Sequence, residues 1–120
     1  MTKKSNTGFK RIVKAAGFSW QGITSSFKNE VAFRQEVFMA AVMIPLAFYL
    51  DVGHVERILM VSSIVLVMVV ELINTAIEAV VDRIGSEHHE LSGMAKDVGS
   101  AAVFICLALA AYVWFEILVL

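Results

Sequence analysis

The stretch ILMVSSIVLVMVVELINTAIEAVV, residues 58–81, is an apolar run whose ionisable side chains all fall in its second half. About 20 apolar residues cross the hydrocarbon core of a membrane as a helix, so this stretch is long enough to span it. Its strongly polar side chains are Glu71, Asn74 and Glu78, with Asp82 just beyond. At 100° per residue these four lie within an arc of about 80°. The stretch therefore predicts a membrane helix with one narrow polar face.

Glu71 is the most deeply placed of these groups, roughly 16 Å along the helix from Asp82 at a rise of 1.5 Å per residue. A carboxylate at that depth has to face protein, a metal ion or a water-filled cleft. A structural polar contact between helices is the alternative. Two glutamates on one face favour a functional site.

The rest of the chain supplies two more predicted spans, residues 31–50 and 98–120. Of the 120 residues, 58% are hydrophobic and 18% are charged, whereas soluble domains average roughly 45–50% and 25%. A single globule of this size has too little interior for that apolar surface. The composition predicts an all-α integral membrane protein with three transmembrane helices. A formal net charge of -1 argues against a nucleic-acid partner, and the lone Cys106 excludes an intramolecular disulfide framework.

The N-terminal region, residues 8–29, has large apolar side chains at steps of three and four and basic side chains on its other faces. This pattern is typical of an amphipathic helix that lies in the membrane interface. An ordinary amphipathic core helix has the same pattern. We expect the surface position because the remainder of the chain is so apolar. The apolar stripe comprises Phe9, Ile12, Val13, Ala16, Trp20, Ile23 and Phe27.

The distribution of lysine and arginine predicts the orientation in the membrane. Seven of the ten lie within the first 36 residues, so the N-terminus is predicted to be cytoplasmic. Three crossings then place the predicted loop 82–97 in the cytoplasm and the C-terminus in the periplasm. In the third span, Tyr112, Trp114 and Phe115 are expected at the far interface.

The residues alone leave the chemistry open. Paired carboxylates facing a phosphate-bearing ligand commonly hold Mg²⁺, and a further carboxylate beside a hydroxyl can act as general base. A buried glutamate is also typical of a proton-coupled transporter. The sequence has no GxxxxGK[ST] or GxGxxG motif, and it has no HExxH motif around His88 and His89. Those two histidines are by default solvated loop residues.

Three segments carry a resemblance to a known family. They are GFKRIVKAAGFSWQGI at 8–23, NEVAFRQE at 29–36 and ELINTAIEAVVDRIGSEHHELSGMAKDVGSAAV at 71–103. Together they closely resemble the bacterial diacylglycerol kinases, which are small integral-membrane lipid kinases. The resemblance extends from about Gly8 to the middle of the third predicted span.

This resemblance implies a homotrimer in the bacterial inner membrane, with active sites built between neighbouring subunits. It implies transfer of the γ-phosphate of MgATP to the primary hydroxyl of diacylglycerol, which gives phosphatidic acid. By matching position, Glu71 is the expected general base and Asn74 lies on the catalytic face. Glu30 and Glu78 are the expected Mg²⁺ ligands.

The remaining implied contacts fall into two groups. Those to the nucleotide are expected from Arg11, Phe18, Glu30, Glu78, Glu87, His89, Glu90, Lys96 and Asp97. Those to the lipid are expected from Arg11, Ser19, Trp20, Phe33, Arg34, Gln35, Glu71 and Ser100.

Two positions depart from the family pattern. Phe18 stands where well-known members have a tyrosine, so a hydroxyl contact is lost there. Met94 stands where a basic residue can occur. Undecaprenol kinase is a rival within the same class, because its relatives share the second-span motif. The surface helix and the AFRQE segment from Ala32 favour diacylglycerol.

Overall fold

The computed structural model describes residues 8–85 and 89–120, and within them the chain forms four helices. They are α1 (Gly8–Asn29), α2 (Val31–Tyr49), α3 (His54–Ile84) and α4 (Glu90–Leu118). Helices α2, α3 and α4 are long and apolar enough to cross a membrane. The predicted architecture of one amphipathic helix followed by three candidate spans is therefore confirmed.

The connection between the last two helices is shorter than the predicted loop 82–97. Helix α3 continues to Ile84, and α4 begins at Glu90. His89 supports that start, because its Nδ1 accepts a hydrogen bond of 3.0 Å from the backbone N–H of Leu91 and so satisfies a free donor of the first turn. The charged side chains suggested a loop, but charge outside lipid does not prevent a helix. Lys96 and Asp97 consequently lie on α4.

Helix α3 packs against each of the other three helices. Its buried apolar side chains are Met60, Ile64 and Val67, whose steps of four and three place them on one face. They form a core with Trp114 of α4 and with small side chains that let the helices approach closely, namely Ala40, Ala47 and Ala110.

Trp114, one of the aromatic side chains expected at the far interface, faces the other helices and not lipid. It is only 7% exposed, and its Nε1 donates a hydrogen bond of 3.2 Å to the backbone oxygen of Met60. The large ring fills the core opposite Met60, and the bonded indole N–H makes its burial inexpensive.

Two arginines hold the joints between helices. Arg34 donates through Nη1 to the backbone oxygens of Phe27 and Lys28, each at 2.9 Å, and so satisfies free carbonyls at the end of α1. Arg57 does the same for the end of α2, donating from Nε to the oxygen of Ala47 at 3.0 Å. Both arginines therefore bond backbone carbonyls at the point where one helix ends and the next begins.

Most of the apolar stripe of α1 does not pack on the rest of the described chain, although the ring of Phe27 lies beside that of Phe38 in α2. Phe9, Ile12 and Trp20 are 69%, 70% and 68% exposed. Contact begins only toward the C-terminal half of the helix, where Ser26 is buried. An exposed aromatic stripe beside three candidate spans is the arrangement expected of a helix on a membrane surface.

Candidate active site

The core stripe of α3 changes from apolar to acidic at Glu71. Met60, Ile64, Val67 and Glu71 follow one another at steps of four, three and four, so the carboxylate occupies the next place on the buried face. Glu71 is only 5% exposed. The polar face predicted from the sequence and the core face of this helix are thus the same face. Glu71 is thereby directed toward the neighbouring helices.

Glu36 is a second buried carboxylate that the sequence analysis did not single out. It is 7% exposed and lies on the face of α2 that also buries Phe33, Ala40 and Ala47. Its carboxyl group is close enough to Glu71 to interact with it directly, and its Oε2 has no hydrogen-bond partner among the described residues. Like charges in a pocket of low polarity repel, so each of these two carboxyl groups alters the electrostatic surroundings of the other.

The signal for Glu36 was present in the spacing. Phe33, Glu36 and Ala40 lie at steps of three and four, the period of a buried helical face. A carboxylate near the start of a predicted span is equally compatible with a position in water, so the spacing alone does not single out Glu36.

Asn74 lies one turn beyond Glu71 and joins α3 to α4. Its Nδ2 donates a hydrogen bond of 3.4 Å to Glu71 Oε2. Its Oδ1 lies against Gly99 of α4 and has no hydrogen-bond partner within the described part of the chain. The structure therefore brings together the two residues predicted to be catalytic.

Glu30 and Glu78 also come together within one chain. Glu30 occupies the extended residue between α1 and α2, with φ −118° and ψ 113°. Glu78 lies two turns beyond Glu71. The carboxylates of Glu30 and Glu78 are close enough to repel each other electrostatically. Mg²⁺ commonly takes one or two carboxylate ligands and completes its shell with water and phosphate oxygens, so carboxylates of this kind suit it. No cluster of three or more metal-binding side chains occurs among residues 8–85 and 89–120.

Lys96 brings positive charge to the outer end of this face. Its Nζ bonds Asp82 Oδ1 at 2.7 Å, and it lies near enough to Glu78 to attract its carboxylate. A nucleotide that uses Lys96 would have to share the lysine with Asp82. Because this pair is largely exposed, water screens it, and weakening the bond between Lys96 and Asp82 costs little free energy.

The other predicted site residues are spread over the structure. Arg11, Phe18 and Trp20 are exposed on α1, whereas Phe33 is fully buried and Gln35 is exposed. His89, Glu90, Asp97 and Ser100 are exposed at or near the start of α4, and Glu87 lies outside the described residues. Arg34 uses its guanidinium to hold the α1–α2 joint.

Ser19 lines a groove of about 550 Å³ between α1 and α3. Its hydroxyl donates to the backbone oxygen of Ala15 at 2.8 Å. Leu72 and Thr75 line the other wall, and Leu72 follows Glu71 directly in the sequence. The groove thus runs beside the helical turn that carries the buried carboxylate.

Comparison with known proteins confirms the resemblance. The sequence model of the family described as prokaryotic diacylglycerol kinase matches residues 17–118. The chain is similar to the diacylglycerol kinase of Escherichia coli K12, with 56% identity over 92% of this chain and 90% of the relative. It is also similar to that of Haemophilus influenzae, with 54% identity over 93% and 95%. The enzyme of Pseudomonas aeruginosa is 50% identical over 96% and 94%. The chain therefore belongs to the prokaryotic diacylglycerol kinase family.

Proposed function

We propose that this chain is an ATP-dependent lipid kinase, a phosphotransferase with an alcohol acceptor, that converts diacylglycerol into phosphatidic acid. The observation that carries the proposal is Glu71, a carboxylate buried on an apolar membrane helix whose outer end bears Glu78 and Asp82, the latter paired with Lys96 of α4. The relatives named diacylglycerol kinase support it. Phosphoryl transfer requires mainly positioning and charge neutralisation, and this face offers both a base and nearby charges.

The proposed step forms one bond and breaks another. The primary hydroxyl oxygen of diacylglycerol attacks the γ-phosphorus of ATP, while the bond from that phosphorus to the β–γ bridging oxygen breaks and ADP leaves. The hydroxyl proton passes to Glu71. Asn74 holds the Glu71 carboxylate through its amide, so the base is oriented before the lipid arrives.

Glu30 and Glu78 would hold Mg²⁺, which neutralises phosphate charge when bound. Lys96 and Arg11 would add positive charge for the nucleotide, with further contacts from Phe18, His89, Glu90 and Asp97. Glu87 is proposed for the same group from its place in the sequence. On the lipid side we propose Ser19, Trp20, Phe33, Arg34, Gln35 and Ser100.

The depth of the base fits a lipid substrate. The hydroxyl of diacylglycerol lies at the boundary between headgroups and hydrocarbon, whereas ATP arrives from water. Glu71 lies inward of Glu78 and Asp82 along one face of α3, so an acceptor in the membrane and a donor in the cytoplasm can meet there. We place the protein in the bacterial inner membrane with its N-terminus cytoplasmic and its C-terminus periplasmic.

We further propose that the functional unit is a homotrimer with sites shared between subunits. Apolar side chains such as Phe104 and Ile105 are 73% and 67% exposed, and lipid or further copies of the chain can cover them. Mixing inactive Glu30→Gln chains with inactive Glu71→Gln chains tests for shared sites. Activity recovered in the mixed oligomers would support them, and mixtures as inactive as their components would contradict them.

The direct test is phosphoryl transfer by the purified protein in lipid vesicles. Labelled γ-phosphate is expected to move from ATP to dioleoylglycerol faster than to undecaprenol. Glu71→Gln is expected to bind ATP normally and to lose transfer. Faster turnover of undecaprenol would move the assignment to the rival lipid kinase. Failure to label either lipid would contradict the assignment as a lipid kinase and would favour the alternative of a proton-coupled transporter.

A further inference from the structure

Gly99 is in direct contact with the amide that orients Glu71. Asn74 Oδ1 occupies the space that a β-carbon at position 99 would need. On its other side the same amide donates from Nδ2 to Glu71 Oε2 at 3.4 Å. The chain of contacts therefore runs from α4 through Asn74 to the buried carboxylate of α3.

The glycine at position 99 is explained by space and not by backbone conformation. Gly99 lies inside α4 and is buried, and Gly8 is the one described residue in the left-handed region. Gly93 lies on the same helix, and a β-carbon added there would have nothing within 4 Å. The two glycines thus differ in what a methyl group would meet, although both are helical.

We propose that Gly99 is a positioning residue for the reaction, acting through Asn74 on the orientation of Glu71. The inference rests on the proposed kinase function. A methyl at position 99 forces the Asn74 carbonyl to move, because a β-carbon is fixed by its backbone while the amide can rotate. Rotation withdraws Nδ2 from Glu71, and the base loses the donor that orients it.

The test compares four variants by their rates of labelled phosphate transfer to dioleoylglycerol in vesicles. Gly99→Ala is expected to lower kcat about tenfold or more, as for a base misplaced by a fraction of an ångström. The KM values for ATP and lipid should stay within about threefold of the parent. Gly93→Ala, the matched control, should stay within about twofold in kcat. In an Asn74→Ala background, adding Gly99→Ala should change kcat by less than about twofold, since coupled residues are non-additive.

Two outcomes of these rates would overturn the inference. One is a Gly99→Ala enzyme with the kcat of the parent. The other is an equal loss with and without the Asn74 amide, because that pattern marks packing between helices. If the parent protein transfers no phosphate to any lipid, it is the proposed function that fails.

A measurement that does not depend on turnover tests the inference even if Gly99→Ala does not assemble. The side-chain amide resonances of Asn74 can be identified in a ¹⁵N spectrum by their loss in Asn74→Ala. They are expected to shift in Glu71→Gln and to stay in place in Glu56→Gln, a change at the other end of α3. Unmoved resonances in Glu71→Gln would contradict the contact on which the inference depends.

Discussion

The two halves of α3 present the same face to α2 and α4 but with opposite chemistry. In the first half, Met60, Ile64 and Val67 are buried, and the Met60 carbonyl accepts bonds from both Ser63 at 2.8 Å and Trp114 at 3.2 Å. In the second half this face carries the buried Glu71 and the partly buried Asn74. Asn74 Oδ1 and, on the facing helix α2, Glu36 Oε2 have no hydrogen-bond partner among the described residues.

This difference separates the half of α3 whose side chains stabilise the helix bundle from the half whose side chains are proposed to take part in the reaction. A buried polar atom without a partner costs about 1–3 kcal/mol relative to a satisfied one. An apolar side chain in the same place would be more stable. The apolar half of α3 offsets that cost. We therefore expect substitutions in the two halves to divide between stability and turnover.

The largest expected effect is on turnover, from Glu71→Gln. It should lower kcat about 10²–10⁴-fold, because a positioned general base contributes that much. It should leave the unfolding midpoint unchanged or raise it, since a buried charge is removed. Transfer rates and thermal unfolding in detergent measure the two effects. The exposed Glu56→Gln is the matched control, and a Glu71→Gln protein that unfolds earlier but turns over normally would reverse the comparison.

The next effect is on stability, from Met60→Ala in the apolar half. Truncating a fully buried methionine costs about 2–5 kcal/mol through lost contacts and the cavity left behind. Turnover at a temperature where the protein stays folded should change little. Leu59→Ala, which removes a half-exposed side chain from the next position, is the control. Equal destabilisation by both substitutions would show that Met60 does not face a packed core.

A smaller effect is expected from Glu36→Gln, which tests whether the buried pair acts together. Removing one of two adjacent buried carboxyl groups should stabilise the fold and lower kcat about tenfold, because the electrostatic surroundings of Glu71 change. Transfer rates and thermal unfolding measure the two effects. A Glu36→Gln protein with the kcat of the parent would remove Glu36 from the environment of the base.

The sequence predicted the helices and the acidic face but not how the side chains meet. Helical period and apolar length located all three spans and the amphipathic α1, since those patterns are local. Glu36 was missed because its burial depends on which face of α2 meets α3. The burial of Trp114 was not predicted, because aromatic side chains occur both at membrane interfaces and in cores. The contact between Asn74 and Gly99 joins residues of two helices, and a single sequence contains no signal of such a pair.

The smallest expected effect is from Trp114→Phe, which removes one hydrogen bond from the apolar half of α3. The substitution keeps an aromatic ring in the core but removes the donor to Met60. The net loss of a hydrogen bond is about 0.5–1.5 kcal/mol. We expect the lower end, because Ser63 still donates to the same carbonyl. Unfolding midpoints of the variant and of Trp20→Phe, a change on the exposed stripe of α1, provide the comparison. A loss confined to Trp114→Phe, with kcat unchanged, would show that polar groups in the apolar half serve the fold.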